Sequence, residues 1–227
     1  MTSLAERLAQ TRAQITEECS RLNRAEPVLI VVTKNHPVTL AQELFDLGER
    51  DFGENRVQEA LPKFLEFSEP GDRLGANWHL IGQLQTNKVK QALEFASSLH
   101  SLDRQSLLDE LIKRTSERDD PLEVFLQVNL TEDPNRGGVE PADLFDFAAQ
   151  VANVKTLKLE GLMAVASLSG DPEPDFETVA SLSQKLVSDH PSANKLSIGM
   201  SGDYLLALSY RATHLRIGTA ITGNRSI

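Results

Sequence analysis

Short β-branched or apolar runs alternate with stretches of helical spacing along nearly the whole chain. The runs at 28–32, 51–53, 77–81, 98–101, 122–130, 156–165, 196–198 and 214–217 give eight strand candidates. The first, Val28-Leu-Ile-Val-Val32, is apolar on both faces, as strands are in a parallel sheet covered on both sides. A helix leads them: Ser3 and Glu6 form a capping box, and Leu4, Leu8, Ile15, Cys19 and Leu22 fall on one stripe. A second box, Thr39 with Gln42, opens a helix that ends near Gly48. Further helices are expected over 56–67 (broken early by Pro62), 84–96, 141–151 and 204–210, and around Leu107–Ile112 and Phe176–Val187. Regular alternation means α/β with a parallel sheet. Eight such units in about 200 residues lie at the small end of a (β/α)8 TIM barrel. A doubly wound open sheet is the rival, weakened by the lack of a dinucleotide fingerprint after the first strand. No linker or composition shift divides the chain, so residues 1–227 read as a single domain, with 132–138 and 167–174 as long loops.

Composition narrows the function classes. Twenty-three Lys and Arg against 33 Asp and Glu leave a net charge of -10, which argues against a nucleic-acid or anionic-membrane partner. The one cysteine, Cys19, excludes an internal disulfide and reads as a small core residue in its stripe. No apolar run could span a bilayer and the N-terminus lacks a signal-peptide core, so a soluble cytoplasmic protein is expected. The five histidines are scattered along the chain, which argues against a metal site. Asp51-Phe-Gly53 spells a kinase magnesium motif without its companions, and Gly199-Met-Ser-Gly-Asp203 lacks the final glycine of a nucleophile elbow.

Barrel chemistry sits at the C-terminal ends of the strands. Lys34 ends the first strand and is followed by the turn Asn35-His36-Pro37. A lysine there points into the barrel mouth with its stem on apolar walls, and partial desolvation favours the free amine that a Schiff base needs. The plainer alternative is a snorkelling lysine that merely ends a strand. Gly199-Met-Ser-Gly202 and Ile217-Gly-Thr219 follow the seventh and eighth strands, where small residues and hydroxyls suit a phosphate. Two ordinary turns capped by Ser and Thr remain the alternative there. Arg216, two residues before the second loop, suits a pyridine nitrogen or an ion pair with a carboxylate in the mouth.

These pieces resemble one family. Val32-Thr-Lys34, Gly53-Glu-Asn-Arg-Val-Gln-Glu59, Trp78-His-Leu-Ile-Gly-Gln-Leu-Gln-Thr-Asn-Lys88, His100-Ser-Leu-Asp103, Val128-Asn129, Gly161-Leu-Met163, Leu196-Ser-Ile-Gly-Met-Ser201 with Asp203, and Arg216-Ile-Gly-Thr219 run in order over nearly the whole chain. The chain resembles the pyridoxal 5′-phosphate (PLP) homeostasis proteins, a family related to the barrel domain of alanine racemase. The resemblance implies one (β/α)8 barrel that holds PLP as an internal aldimine on Lys34. It implies phosphate contacts at Ser201, Gly218 and Thr219, and Arg216 at the pyridine nitrogen. Asn55 and Met200 would line the cofactor, and His79 and Met163 would border the pocket. The chain departs from the family at Asn35-His36, where a threonine-lysine pair is usual, and at Thr222, where phenylalanine is usual.

The racemases related by this fold need a base on each face of the bound substrate, a lysine and a tyrosine from a second domain of the partner subunit. This chain ends at Ile227 and has two tyrosines, Tyr204 and Tyr210, neither expected at the mouth. The resemblance therefore implies a non-catalytic PLP-binding protein that buffers the cofactor or delivers it to apo PLP-dependent enzymes, and a monomer. A weak amino-acid racemase with Lys34 as its only base is the alternative. A barrel that binds a sugar phosphate is the third.

Overall fold

The structure is a computed structural model that describes residues 2–69, 71, 74–116, 118, 120–131, 137–167 and 170–223. Eight parallel strands close a barrel in chain order. They are β1 (Val28–Val32), β2 (Asp51–Glu54), β3 (Asn77–Leu80), β4 (Ser98–Leu102), β5 (Leu122–Gln127), β6 (Leu157–Met163), β7 (Lys195–Ser197) and β8 (His214–Ile217). The barrel shuts where β1 pairs β8, Val28 to His214 through Val31 to Ile217. The helices are α1 (Leu4–Arg21), α2 (Val38–Asp46), α3 (Val57–Ser68), α4 (Val89–Ala92), α5 (Gln105–Thr115), α6 (Leu144–Ala152), α7 (Glu173–Asp189), α8 (Tyr204–Ser209) and α9 (Thr219–Thr222).

The leading helix forms as expected. Ser3 accepts from the Glu6 N–H, Glu6 accepts from the Ser3 N–H, and Leu4, Leu8, Ile15 and Cys19 are buried. It packs against the end of the chain, where Arg7 Nε donates to the Ile221 carbonyl at 2.6 Å and Tyr204 donates to Gln14.

Three helix readings need correction. The Thr39 box is not used: Pro37 occupies the N-cap position with φ -67°, and α2 starts at Val38, whose side chain is buried. Pro62 does not break α3, which runs through it to Ser68. Its ring forfeits one helical hydrogen bond, but Val57, Ala60 and Phe67 hold the helix on the barrel. Phe67 meets Phe52 and Trp78 with ring centroids 5.6 and 5.4 Å apart, contacts worth about 0.5–1.5 kcal/mol each beyond their burial. The stretch over 84–96 is a 3-10 turn (Thr86–Lys88) and the single turn of α4, because β4 must begin six residues after Ala92.

Two cores result. The larger lies between the barrel wall and the helices and includes Leu29, Val31, Phe52, Trp78, Leu126, Leu162 and Leu215. The second is the barrel interior, made by residues of the opposite strand parity. There a Cβ on Gly53 would lie 3.0–3.3 Å from Ile30, Ile81 and Val32. His79, His100, Ser98, Ser197 and Arg216 share this interior, and all five are buried.

Candidate functional site

Lys34 stands two residues beyond Val32, on the inward-facing parity of β1, at the rim of the barrel. The His36 N–H returns to the Thr33 carbonyl at 3.1 Å, and Asn35 carries φ 64°. That is a turn with its left-handed residue third, a place where Asn is tolerated. The turn lifts Lys34 off the strand, and its side chain is exposed rather than pressed on apolar walls.

Beside β1, the loops after β7 and β8 meet. Gly199 has φ 91°, and a Cβ there would lie 2.8 Å from the Ala207 Cβ and 2.9 Å from a Leu215 methyl, so only glycine fits. Asp203 accepts the Met200 N–H at 2.6 Å and folds the loop back. Ser201 Oγ then accepts from the Gly218 and Ala220 N–H groups at 3.2 and 3.3 Å. Two backbone donors and a hydroxyl thus converge at one point, a donor set suited to a phosphate oxygen. Thr219, between the two donors, is exposed, and Met200 is half-buried.

Arg216 lies deeper on β8 and is 4 % exposed. Its NH1 donates to the Ser197 carbonyl at 2.5 Å and to Ser197 Oγ at 2.6 Å, and its NH2 donates to the Ala164 carbonyl at 2.8 Å. No ion pair holds it among the described residues, which removes the carboxylate alternative. Burial pulls its pKa down to about 10, against the opposing charge of Asp203.

His79 is placed elsewhere than at the mouth. Its Nε2 is 3.0 Å from Asp51 and its Nδ1 2.6 Å from Ser98 Oγ, and both partners begin their strands. The ring therefore faces the lower barrel. It meets His100, whose Nε2 is 3.1 Å away, and His214 lies beyond with its ring centroid 6.0 Å from that of His100. Histidines scattered in the sequence are thus gathered by barrel closure. Burial, followed by the charges of His79, Arg216 and His214, holds His100 well below the usual histidine range and keeps it neutral. No cluster of three or more such side chains able to hold a metal occurs among the described residues.

Met163 ends β6, buried and paired in register with Ser197. Asn55 lies on the other flank of the mouth. There it lines a polar groove of about 510 Å³ with Arg56, Gln83, Gln85 and Lys88, to which Lys34, Ser201 and Gly218 do not contribute. The structure therefore groups Ser201, Gly218, Met200 and Thr219 beside the strand that carries Lys34. Arg216 and Met163 lie below, Asn55 follows β2, the strand paired with β1, on the inward parity of Gly53, and His79 faces the lower barrel. Ser98, His100, Ser197 and Asp51 join His79 and Arg216 in one hydrogen-bonded group inside the barrel. The one available signal was inward parity on strands whose neighbours are apolar.

The alanine racemase N-terminal domain model matches residues 7–226. A pyridoxal phosphate homeostasis protein from Vibrio cholerae is 35% identical over 231 residues, covering 99% of this chain and 98% of that protein. One from Schizosaccharomyces pombe is 34% identical and covers 99% and 94%. The structure of PipY from Synechococcus elongatus with PLP bound superposes with a TM-score of 0.85 at 34% identity, over 97% of this chain and 100% of that one. Alanine racemase from E. faecalis has the same fold over 57% of its own length, with a TM-score of 0.69 at 19% identity.

Proposed function

From the premise that the chain belongs to the alanine racemase N-terminal domain family and to its pyridoxal phosphate homeostasis proteins, we propose that it binds PLP and buffers or delivers it without catalysing turnover. The observation that carries this reading is the convergence of the Gly218 and Ala220 N–H groups on Ser201 Oγ, beside the strand that ends in Lys34 and above the buried Arg216. In this reading Ser201, Gly218 and Thr219 hold the phosphate, and the Lys34 amine is the covalent anchor. Arg216 faces the pyridine nitrogen as a donor and, being a cation, keeps a proton off it. Met200, Met163 and Asn55 flank the ring, while His79 acts from below. When bound, PLP supplies an aldehyde that condenses with a primary amine and a ring that withdraws electrons.

Two-base chemistry would need a second proton-transfer group at the mouth. Both tyrosines are engaged outside it: Tyr204 donates to Gln14 at 2.6 Å and Tyr210 to Glu173 at 2.8 Å. That supports a carrier over a racemase. We place the protein in the cytoplasm as a single-domain monomer that hands PLP to apo-enzymes. No helix among the described residues is long and apolar enough to cross a membrane.

The test is the visible spectrum of the protein with PLP, before and after borohydride. A reducible band, with the label mapped to Lys34, is expected, together with no turnover of an amino-acid panel above that of free PLP. Lys34→Ala is expected to lose the band yet retain PLP about tenfold or more weakly through the phosphate contacts. An unchanged band in that variant would refute the site.

A further inference from the structure

Arg216 is a buried cation with no carboxylate beside it, a costly arrangement unless aligned dipoles offset the charge. The hydrogen-bond partners inside the barrel fix how those dipoles run. A guanidinium can only donate, so Ser197 Oγ accepts from it at 2.6 Å. The Ser197 hydroxyl then has His100 Nδ1, 2.9 Å away, to donate to. His100 is neutral, so with Nδ1 accepting, its proton sits on Nε2. That Nε2–H faces Ser98 Oγ and His79 Nδ1, both at 3.1 Å. Ser98 Oγ is itself 2.6 Å from His79 Nδ1, so either route ends with that nitrogen as acceptor. His79 Nε2–H then donates to Asp51 at 3.0 Å.

We propose that Ser197, His100, Ser98, His79 and Asp51 form a one-way hydrogen-bond relay that positions the Arg216 guanidinium for the cofactor ring. Every link donates in the same direction, from the cation below the mouth to the carboxylate at the opposite end of the barrel. The aligned dipoles spread the Arg216 charge toward Asp51 and hold the guanidinium plane by its contact with Ser197. These five are positioning residues, acting through Arg216. The other charged or titratable groups that face the relay are His214, whose ring packs on Phe125 with centroids 5.1 Å apart, and Lys195 and Asp203, which act on His214 and Arg216 by charge. The inference rests on the reading of Arg216 as the group at the pyridine nitrogen.

Two measurements test it. Long-range proton–nitrogen NMR of the protein without PLP should show His79 and His100 protonated on Nε2. A His100 proton on Nδ1 would overturn the relay whatever the cofactor does. In the PLP-loaded protein, the pH midpoint of the visible band should move by about half a unit or more in Ser197→Ala, which removes only the hydroxyl. Asp51→Asn, at the far end of the barrel and unable to touch PLP, should move it in the same direction. Thermal melts of both variants check that they fold, and Asp51→Asn, at a part-exposed site, stands in if Ser197→Ala does not. A wild-type band whose midpoint ignores both substitutions, while Arg216→Lys moves it, would overturn the proposal alone. Absence of any wild-type band with added PLP would overturn the functional reading and this proposal with it.

Discussion

The turn that carries Lys34 is anchored at Thr33 by a clamp that lies outside the barrel rather than in its mouth. Lys63, on α3, reaches the Thr33 carbonyl at 2.8 Å and Glu54 Oε1 at 2.5 Å, and the Thr33 hydroxyl donates to the same carboxylate oxygen at 2.7 Å. The two charged side chains are 7% and 0% exposed. The Thr33 carbonyl also accepts the His36 N–H that closes the lysine turn, so the clamp and the turn share one acceptor. A buried ion pair adds little stability over an apolar pair, but losing one partner strands the other charge. Lys63→Met is therefore expected to cost about 3–5 kcal/mol, and Lys63→Met combined with Glu54→Leu distinctly less. Urea unfolding midpoints decide this, and a double variant as unstable as the single one would count against the clamp. The sequence carried half of this arrangement. Lys63 falls on the face of Val57, Ala60 and Phe67, so a lysine on an apolar stripe was visible. Its partner, Glu54, ends the second strand beside Asn55, where a linear reading looks for mouth chemistry, because nothing in a linear pattern says that a strand-end carboxylate turns outward under a helix.

Elements were legible where a local signal and the tertiary demand agreed. The capping box of α1 and the strand at His214–Ile217 stand where periodicity and composition put them. The Thr39 box, the Pro62 break and the helix over 84–96 failed for one shared reason. In each, a local preference worth about 1–3 kcal/mol was set against the burial of a helix face or the span to the next strand, and lost. The β7–β8 seam shows the same hierarchy in reverse. β7 has three residues and one register pair with β8, Ser197 to His214, because the left-handed Gly199 turns the chain out of the sheet. That departure leaves space for the Ser201 loop above Arg216. Gly199→Ala should therefore damage the loop more than the barrel. Left-handed strain of about 1–2 kcal/mol and contacts under 3 Å to Ala207 and Leu215 add, and the Ser201 hydroxyl shifts away from the Gly218 and Ala220 donors. The expected outcome is a lower melting temperature together with a larger proportional loss of affinity for PLP or inorganic phosphate. A variant that melts early but binds phosphate normally would separate the glycine from the site.

Barrel closure is the step at which the linear reading loses sight of the site. It sets β4 and β5 across the lumen from β8 and brings His100, His214 and Phe125 together, with the His100 ring stacked on Phe125 at 4.2 Å. The alternation of strands and helices was sufficient for the architecture because it is a property of neighbours in sequence. The histidine interior is a property of closure and left no comparable trace. Its consequence is a pH dependence of the whole molecule. Burial, reinforced by the charges of His79 and Lys195, pushes His214 down to about 3, and burial holds His100 well below its ordinary 6.5. Both are neutral in the folded state and protonate in the unfolded chain near 6.5, so between those values the unfolded chain binds more protons. Stability is then complete above pH 6.5 and falls as pH drops, by about 1.4 kcal/mol per unit for each histidine and about twice that for the pair. For Asp51, burial works to raise the carboxyl, but the hydrogen bond and charge of His79, with Asn77 and His214, outweigh it and hold it below 3.8. Its contribution is accordingly lost only at pH values below that. Urea unfolding at pH 7, 6, 5 and 4 should give a falling curve that is steepest below 6. His214→Gln, which removes one of the two protons taken up on unfolding, should halve the slope between pH 6 and 4. A flat curve over that range, or an unaltered slope in the variant, would mean that the histidine interior opens to protons while the barrel stays folded.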